Sequence, residues 1–452
     1  MGESGQRGRL FGTDGVRGVA GHDLTASLAL DLSAAGAAVL ADGLGAQSPL
    51  AVVGRDPRVS GEFLEAAVVA GLASAGVDVL RLGVIPTPGV AYLTGALNAA
   101  FGVVISASHN PAGDNGIKFF GPGGVKLPDA VEDQIEARLR QPQPGPRAPF
   151  GRVTDAGGEQ ERYLNHLLST LPDPERALAG LCVVADCAHG AAYHLAPQAL
   201  RRAGAEVIAI GAEPDGLNIN AGVGSTCLDT LAAAVIEHGA DAGVAYDGDA
   251  DRCLAVDAAG QPLDGDQILT VLAIELREAG RLARDAVVVT VMSNQGFHVA
   301  MRDAGVTVIE TPVGDKHVSA AMRDGGYVLG GEQSGHIILL DHATTGDGIL
   351  TSLQLLSAVN RRGMPLSAAG SLMRKYPQVL VNVPGDASLL GPSVDAAVVR
   401  AETQLAGHGR VLVRPSGTEP KIRLMVQAAD AGLAEQVIGQ LAAEVRLALA
   451  GQ

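Results

Sequence analysis

The sequence predicts an α/β protein made of three related α/β/α domains and a smaller α+β C-terminal domain. Three observations carry that prediction. Short apolar runs alternate with helical stretches, which points to sheets covered on both faces. One strand-helix-strand unit recurs three times. The C-terminal segment follows a different pattern.

In the first unit the strands are Leu50–Val53, Ala75-Gly76-Val77-Asp78-Val79-Leu80 leading to Gly83, and Gly102-Val103-Val104-Ile105. The second has Leu181–Val184, Ala203-Gly204-Ala205-Glu206-Val207-Ile208 leading to Gly211, and Ala242–Tyr246. The third has Ala286–Val291, Ala304-Gly305-Val306-Thr307-Val308-Ile309, and Gly326–Gly330. Gly61–Ala75 and Ala191–Ala203 place apolar residues at helical spacing between first and second strands. "Ala-Gly-x-x-Val" is also a common helix-to-strand junction, but here each third strand runs into a distinctive polar loop, and equivalent loops of like domains can converge on one cleft.

Boundaries follow from composition. Gln141-Pro142-Gln143-Pro144-Gly145-Pro146 is a stiff linker. Gly260–Gly265 and Arg361–Tyr376 separate the later units, giving domains 1–155, 156–259, 260–372 and 373–452. The last is expected to hold strand Val379–Val383, a helix over Ser393–Ala406, strands Arg410–Arg414 and Ile422–Val426, and an amphipathic helix near Leu433–Ala450.

Composition excludes several function classes. With 452 residues, 47% hydrophobic, the chain can build sizeable cores. A net charge of −16 opposes nucleic acid and anionic membrane, and 3% aromatics without Trp leave no base-stacking platform. No apolar run approaches the ~18 residues of a membrane span, and the polar start has no secretory apolar region. Gln6 stands where myristoylation after Gly2 wants Ser or Thr. Four cysteines without a C-x-x-C pair read as reduced thiols. The expectation is a soluble cytoplasmic protein whose anionic substrate meets a local basic site.

The chemistry sits in the loops. Ser106-Ala107-Ser108-His109-Asn110-Pro111 follows the buried strand Phe101–Ile105, and Pro111 stops it. By itself this is either a Ser/Asn turn or a serine presented at a strand end, where α/β sites gather. In an extended segment His109 points away from Ser108, so it is not expected to serve as a triad base. Asp247, Asp249 and Asp251 alternate with small residues, and three hard carboxylates at that spacing can converge on Mg2+ or Ca2+. An EF-hand fails, because Arg252 stands at its glycine position and Ala258 at its twelfth. Open coordination positions favour catalytic Mg2+.

Arg414-Pro415-Ser416-Gly417-Thr418, with Lys421 and Arg423 nearby, offers what a phosphate monoester needs, or is a surface hairpin. Gly331-Glu332-Gln333-Ser334-Gly335-His336 offers a carboxylate and a hydroxyl suited to vicinal sugar hydroxyls, with His336 either catalytic or structural. Arg17, in the glycine-rich stretch 11–18, pairs with phosphate or caps local carbonyls. Together these are the parts for metal-assisted phosphoryl transfer.

The set Phe-Gly-Thr-Asp-Gly-Val-Arg-Gly (11–18), Ala-Ser-His-Asn-Pro (107–111), Asp-Gly-Asp-Ala-Asp-Arg (247–252), Gly-Glu-Gln-Ser-Gly-His (331–336) and Arg-Pro-Ser-Gly-Thr-Glu-Pro (414–420) resembles the α-D-phosphohexomutase family across essentially the whole chain. The opening motif and Gln333 are similar to those of members acting on glucosamine phosphate; members acting on mannose and glucose phosphates usually differ in both. The resemblance implies a heart-shaped four-domain molecule whose last domain swings to close the cleft. It implies a phosphoserine at Ser108, and one Mg2+ on Asp247, Asp249, Asp251 and the phosphate of Ser108. It gives Glu332 and Ser334 to the sugar, and Arg414, Ser416, Gly417, Thr418 and Arg423 to the non-reacting phosphate; Arg17 and His336 are the other substrate-binding candidates. Lys118, His109 and Arg252 become proton-transfer or charge-stabilising residues. A bisphosphate, glucosamine 1,6-bisphosphate or similar, is the implied intermediate and activator, in a monomer or homodimer. The sequence departs from the family pattern at Ser106 (commonly Thr), Cys227 (usually His) and Lys316-His317 (commonly Arg-Tyr). The reading is an isomerase interconverting glucosamine 6-phosphate and glucosamine 1-phosphate; the rivals are the same mechanism on mannose or glucose phosphate, a metal-dependent phosphatase, and a non-catalytic sugar-phosphate sensor.

Overall fold

A computed structural model describes residues 9–12, 14–41, 49–141, 149–385, 390–415 and 421–450. The Pro-rich stretch 142–146 and the loop residues Ser416, Gly417 and Thr418 lie outside them. The first sheet contains β1 (Val16–Val19), β2 (Leu50–Arg55), β3 (Asp78–Val84), β4 (Phe101–Ile105), β5 (Asp114–Gly121), β6 (Val125–Lys126) and β7 (Val153–Asp155). Their order is β1-β5-β4-β2-β3-β7, with β6 paired to β5. The second sheet contains β8 (Cys182–Asp186), β9 (Glu206–Ile210), β10 (Ala242–Tyr246), β11 (Cys253–Asp257) and β12 (Pro262–Leu263), in the order β12-β11-β10-β8-β9. The third contains β13 (Ala286–Thr290), β14 (Thr307–Thr311), β15 (Leu329–Gly331) and β16 (Ile337–Leu339), in the order β14-β13-β15-β16.

One topology underlies all three. Reading each unit's four principal strands in chain order, the spatial order is fourth, third, first, second. The first three run parallel, and the fourth returns antiparallel to the third. The strands β4, β10 and β13 are buried at every residue. Helices on both faces explain why they read as unbroken apolar runs instead of alternating ones.

The sequence reading places a strand start at Cys253, where β11 begins, and leaves out β5 and β16. The third unit's last parallel strand starts later than expected. The helix Asp315–Gly325 ends at Gly326, whose φ of 67° is left-handed, so β15 begins only at Leu329.

By internal contacts the chain divides into two compact units, Met1–Met292 with Val306–Ser371, and Ser293–Gly305 with Leu372–Gln452. The second unit holds β17 (Gln378–Pro384), β18 (Gly409–Pro415) and β19 (Lys421–Ala428) as an antiparallel sheet in the order β17-β19-β18. The helices Pro392–Leu405 and Ala431–Ala450 cover it, with Val394, Leu405, Ile422, Leu424, Val437 and Leu441 in its core.

Candidate active site

Each distinctive loop of the first unit lies between a unit's third and fourth strands, at the carboxyl end of a parallel strand, where open α/β sheets place ligands. Each also turns through a left-handed residue, namely Ser108 at φ 51°, Ala250 at 58° and Gly335 at 91°.

Ser108 is buried, 2% exposed, and its Oγ donates to Asp247 Oδ2 at 2.5 Å. Ser106 Oγ accepts from the Ser108 amide at 2.9 Å and donates to buried Asp56 at 2.5 Å, which anchors the loop to the end of β2. His109 Nδ1 lies 3.3 Å from Ser108 Oγ. The expectation that the two side chains diverge fails, because it assumed extended backbone and Ser108 is left-handed. Burial, then Arg252 and Arg17, lower the His109 imidazole, which favours its neutral form.

The carboxylates of Asp247, Asp249 and Asp251 are buried, with one oxygen from each within 4.8 Å of the others. Among the described residues this is the one cluster of its kind. Burial and the neighbouring Asp251 and Asp249 push Asp247 well above the usual carboxylate range. For Asp251 burial is outweighed by His336, Lys118 and Arg252, which hold it far below that range. Asp249 Oδ1 and Asp251 Oδ1 are buried without a hydrogen-bond partner. Three crowded hard donors, one forced toward protonation and two with idle oxygens, fit a divalent cation. Thr87 holds the loop from the first domain, through its amide to Asp249 O at 2.9 Å and its hydroxyl to Asp249 Oδ2 at 2.6 Å.

Lys118 sits on β5 opposite Val104, and its Nζ lies 2.9 Å from Asp249 Oδ2 and 2.7 Å from Asp14 Oδ2. Burial alone would lower this ammonium, but Asp14, Asp249 and Asp251 raise it above the usual lysine range. Beyond it the charges keep alternating. Asp14 pairs with Lys126 at 3.4 Å, and Lys126 pairs with Asp315. Asp315 Oδ2 is 3.6 Å from His336 Nε2, and His336 Nδ1 is 3.6 Å from Asp251 Oδ2. The chain closes on the acid trio it began from. Burial alone would lower the His336 imidazole, but Asp251 and Asp315 on its two sides raise it.

Sequence reasoning missed Asp14, Thr87, Lys126 and Asp315. Asp14 stood in the glycine-rich stretch that drew attention to Arg17, which is its ion-pair partner. Arg252 Nε lies 4.0 Å from Asp247 Oδ2 and 3.9 Å from Asp251 Oδ1. In the third loop Glu332 Oε1 accepts from Gly314 N at 3.3 Å, and Ser334 Oγ is buried without a partner. Beside these groups a cavity of about 490 Å3 is lined by Gly12, Lys126, Gly314, Asp315 and Lys316, among others.

In the second compact unit Arg414 and Arg423 face each other across β18 and β19. Burial, then Arg423, lower the Arg414 guanidinium.

A serine on a carboxylate trio, in the first of three like α/β domains, defines a phosphoryl-transfer enzyme of the phosphohexomutase kind. Phosphoglucomutase/phosphomannomutase alpha/beta/alpha domains I, II and III match residues 8–144, 161–260 and 264–376, and the C-terminal domain matches 380–444. The chain belongs to the α-D-phosphohexomutase family. It is 62% identical over 443 residues to the phosphoglucosamine mutase of Thermobifida fusca, covering 97% of this chain and 98% of that one. It is 58% identical over 453 residues to the phosphoglucosamine mutase of Streptomyces griseus, covering 98% and 100%. Among solved structures, a phosphoglucomutase/phosphomannomutase family protein from Burkholderia thailandensis superposes with a TM-score of 0.81 over 97% of each chain at 24% identity, a likeness of fold.

Proposed function

We propose that this chain interconverts glucosamine 6-phosphate and glucosamine 1-phosphate, with Ser108 alternately carrying and surrendering the phosphoryl group. The observation that carries the reading is the buried Ser108 Oγ, 2.5 Å from Asp247 and inside a trio of carboxylates. Relatives 62% and 58% identical over nearly the full length, both phosphoglucosamine mutases, support the amino sugar.

Phospho-Ser108 gives its phosphoryl group to the sugar O1: the seryl P–O bond breaks as the P–O1 bond forms, the O1 proton leaves to a base, and the freed seryl oxygen takes up a proton. The bisphosphate turns over in the cleft, and its 6-phosphoryl group returns to Ser108. Asp247, Asp249, Asp251 and the seryl phosphate would hold Mg2+, which when bound offsets charge on the transferring oxygens. Lys118 and Arg252 add fixed positive charge beside Asp249 and Asp247, and His109, 3.3 Å from Ser108 Oγ, is placed to pass a proton to or from the seryl oxygen. Glu332 and Ser334 read the sugar hydroxyls, and Arg17 and His336 are further substrate-binding residues in this reading. Arg414 and Arg423, with Ser416, Gly417 and Thr418, grip the phosphate that is not reacting.

Among the described residues no helix is long and apolar enough to cross a membrane, and Cys182, Cys187, Cys227 and Cys253 are free thiols. The free thiols fit action in the reducing cytoplasm.

The test is a panel of glucosamine, mannose and glucose 6-phosphates with Mg2+ and a sugar bisphosphate activator. Isomer formation is expected with the highest kcat/KM for glucosamine 6-phosphate. Preference for mannose or glucose phosphate would keep the mechanism and overturn the substrate. Inorganic phosphate release without isomer would make the chain a phosphatase.

A further inference from the structure

The backbone of the serine loop is held by two side chains that take no part in the chemistry above. Arg58 is fully buried, and its Nε donates to Asp56 Oδ2 at 2.9 Å. Its Nη2 donates to Ser108 O at 2.9 Å and Asn110 O at 2.8 Å, and its Nη1 to Asp114 O at 3.1 Å and to Pro111 O. Asn220, from the second domain, donates through Nδ2 to the same two carbonyls, Ser108 O at 2.9 Å and Asn110 O at 3.1 Å. A carbonyl oxygen has two lone pairs, so Arg58 and Asn220 together saturate both groups. The amide cannot be turned over, since its oxygen would then face two carbonyls; that oxygen is buried and has no partner.

Asn220 is itself fixed. Its φ is 59°, and its amide donates to Ala188 O at 2.9 Å, in the turn following β8. Gly248 of the acidic loop completes the enclosure, since a Cβ there would stand 2.5 Å from Ser108 O and 2.9 Å from Asn220 Nδ2. The second domain therefore grips Ser108 at two points, with Asp247 on its hydroxyl and Asn220 on its carbonyl. Fixing the peptide plane after Ser108 holds the residue in its left-handed conformation and keeps Oγ aimed at the carboxylates.

We propose that Asn220 is a positioning residue for phosphoryl transfer, clamping the Ser108 and Asn110 carbonyls against Arg58 so that the seryl oxygen keeps its distance from the acid trio. This rests on the mutase reading, in which the sugar presents two different ends and only the serine and the acids stay put. A displaced serine costs rate in both half-reactions while leaving the sugar contacts intact.

The test uses Asn220→Gly and Asn220→Asp in the full chain. Gly and Asp both accept left-handed backbone, so the turn survives. Gly removes the clamp, whereas Asp sets a carboxylate oxygen against two carbonyls. Expected are a fall of about tenfold in kcat for the glycine variant and a further fall for the aspartate variant, with kcat/KM falling in parallel. Thermal midpoints stay near that of the unmodified chain, while hydrogen exchange speeds up across 106–115 and not elsewhere. Unchanged kcat in Asn220→Asp, or a loss of activity with no change in exchange across 106–115, overturns the proposal. Should the unmodified chain form no glucosamine 1-phosphate, the mutase reading fails by itself. The exchange comparison then still decides whether the clamp exists.

Discussion

Gly248→Ala probes how closely the serine loop and the acidic loop must meet. Gly248 has no left-handed φ, so alanine brings no backbone strain. Its methyl would lie 2.5 Å from Ser108 O and 2.8 Å from Ile219 Cδ1, where ordinary contact begins at 3.4 Å. Restoring contact separates the two loops by 3.4 − 2.5 = 0.9 Å. The Ser108 carbonyl cannot give way alone, since Arg58 and Asn220 hold it, so the loops part as bodies and Ser108 Oγ draws away from Asp247. Overpacking of this kind costs about 1–3 kcal/mol, which leaves a chain of this size folded. A misplacement near 1 Å costs on the order of 10²-fold in rate. The assay is kcat for glucosamine 6-phosphate isomerisation at saturating Mg2+, with the thermal midpoint measured alongside. Gly113→Ala, with no atom within 4 Å of the added methyl, is the control and stays active. Activity in Gly248→Ala within about twofold of the unmodified chain, far short of the ~10²-fold loss, would refute the reasoning.

Three further outcomes follow from the same geometry. Ser108→Ala is expected to lose the phosphoryl mass from the intact protein and all but trace turnover; full activity would remove Ser108 from the reaction. Lys118→Met strips the cation lying between Asp14 and Asp249, and breaking such a buried pair costs about 3–5 kcal/mol. Adding Asp14→Asn should recover part of that, by ~1 kcal/mol or more in urea unfolding with EDTA, and strict additivity would contradict the pairing. Burial raises Asp347 from 3.8 to about 6. The folded chain then binds this proton more tightly than the unfolded one, so the group's contribution is complete below pH ~4 and is lost as pH rises through about 6, some 3 kcal/mol in all. Asp347→Asn keeps a helix-capping side chain and should flatten that part of the stability profile; equal slopes for both proteins between pH 4 and 6 would show the group is not perturbed.

Much of this was legible because buried parallel strands write themselves as unbroken apolar runs. Phe101–Ile105 and Ala242–Tyr246 carry the boundaries read from the sequence, and the polar residues following each had to be loop. The fourth strand of the first unit was not legible. β5 runs Asp-Asn-Gly-Ile-Lys-Phe-Phe-Gly, a pattern set by Lys118 reaching the acids and by glycines where backbones approach, not by alternation. The partners of the site were harder still. Thr87 and Asn220 reach Asp249 and Ser108 from other parts of the fold, and no local spacing reports a contact between residues so far apart in the chain. The mistaken view of His109 has a narrower cause, since a left-handed serine is invisible in the letters Ala-Ser-His.

The alternating charges explain how a protein of net charge −16 keeps so many carboxylates at one buried place. From Asp249 through Lys118, Asp14, Lys126, Asp315 and His336 to Asp251, each acid meets a base before it meets another acid. Asp247 alone stands outside the sequence of pairs, and it is the acid of the trio driven toward protonation. It is also the one bonded to Ser108. The crowding of carboxylates is therefore greatest at the point where a divalent cation and a seryl phosphate would meet. Arg252, 4.0 Å from Asp247, offsets only part of this crowding, and a divalent cation on the three carboxylates would offset the rest.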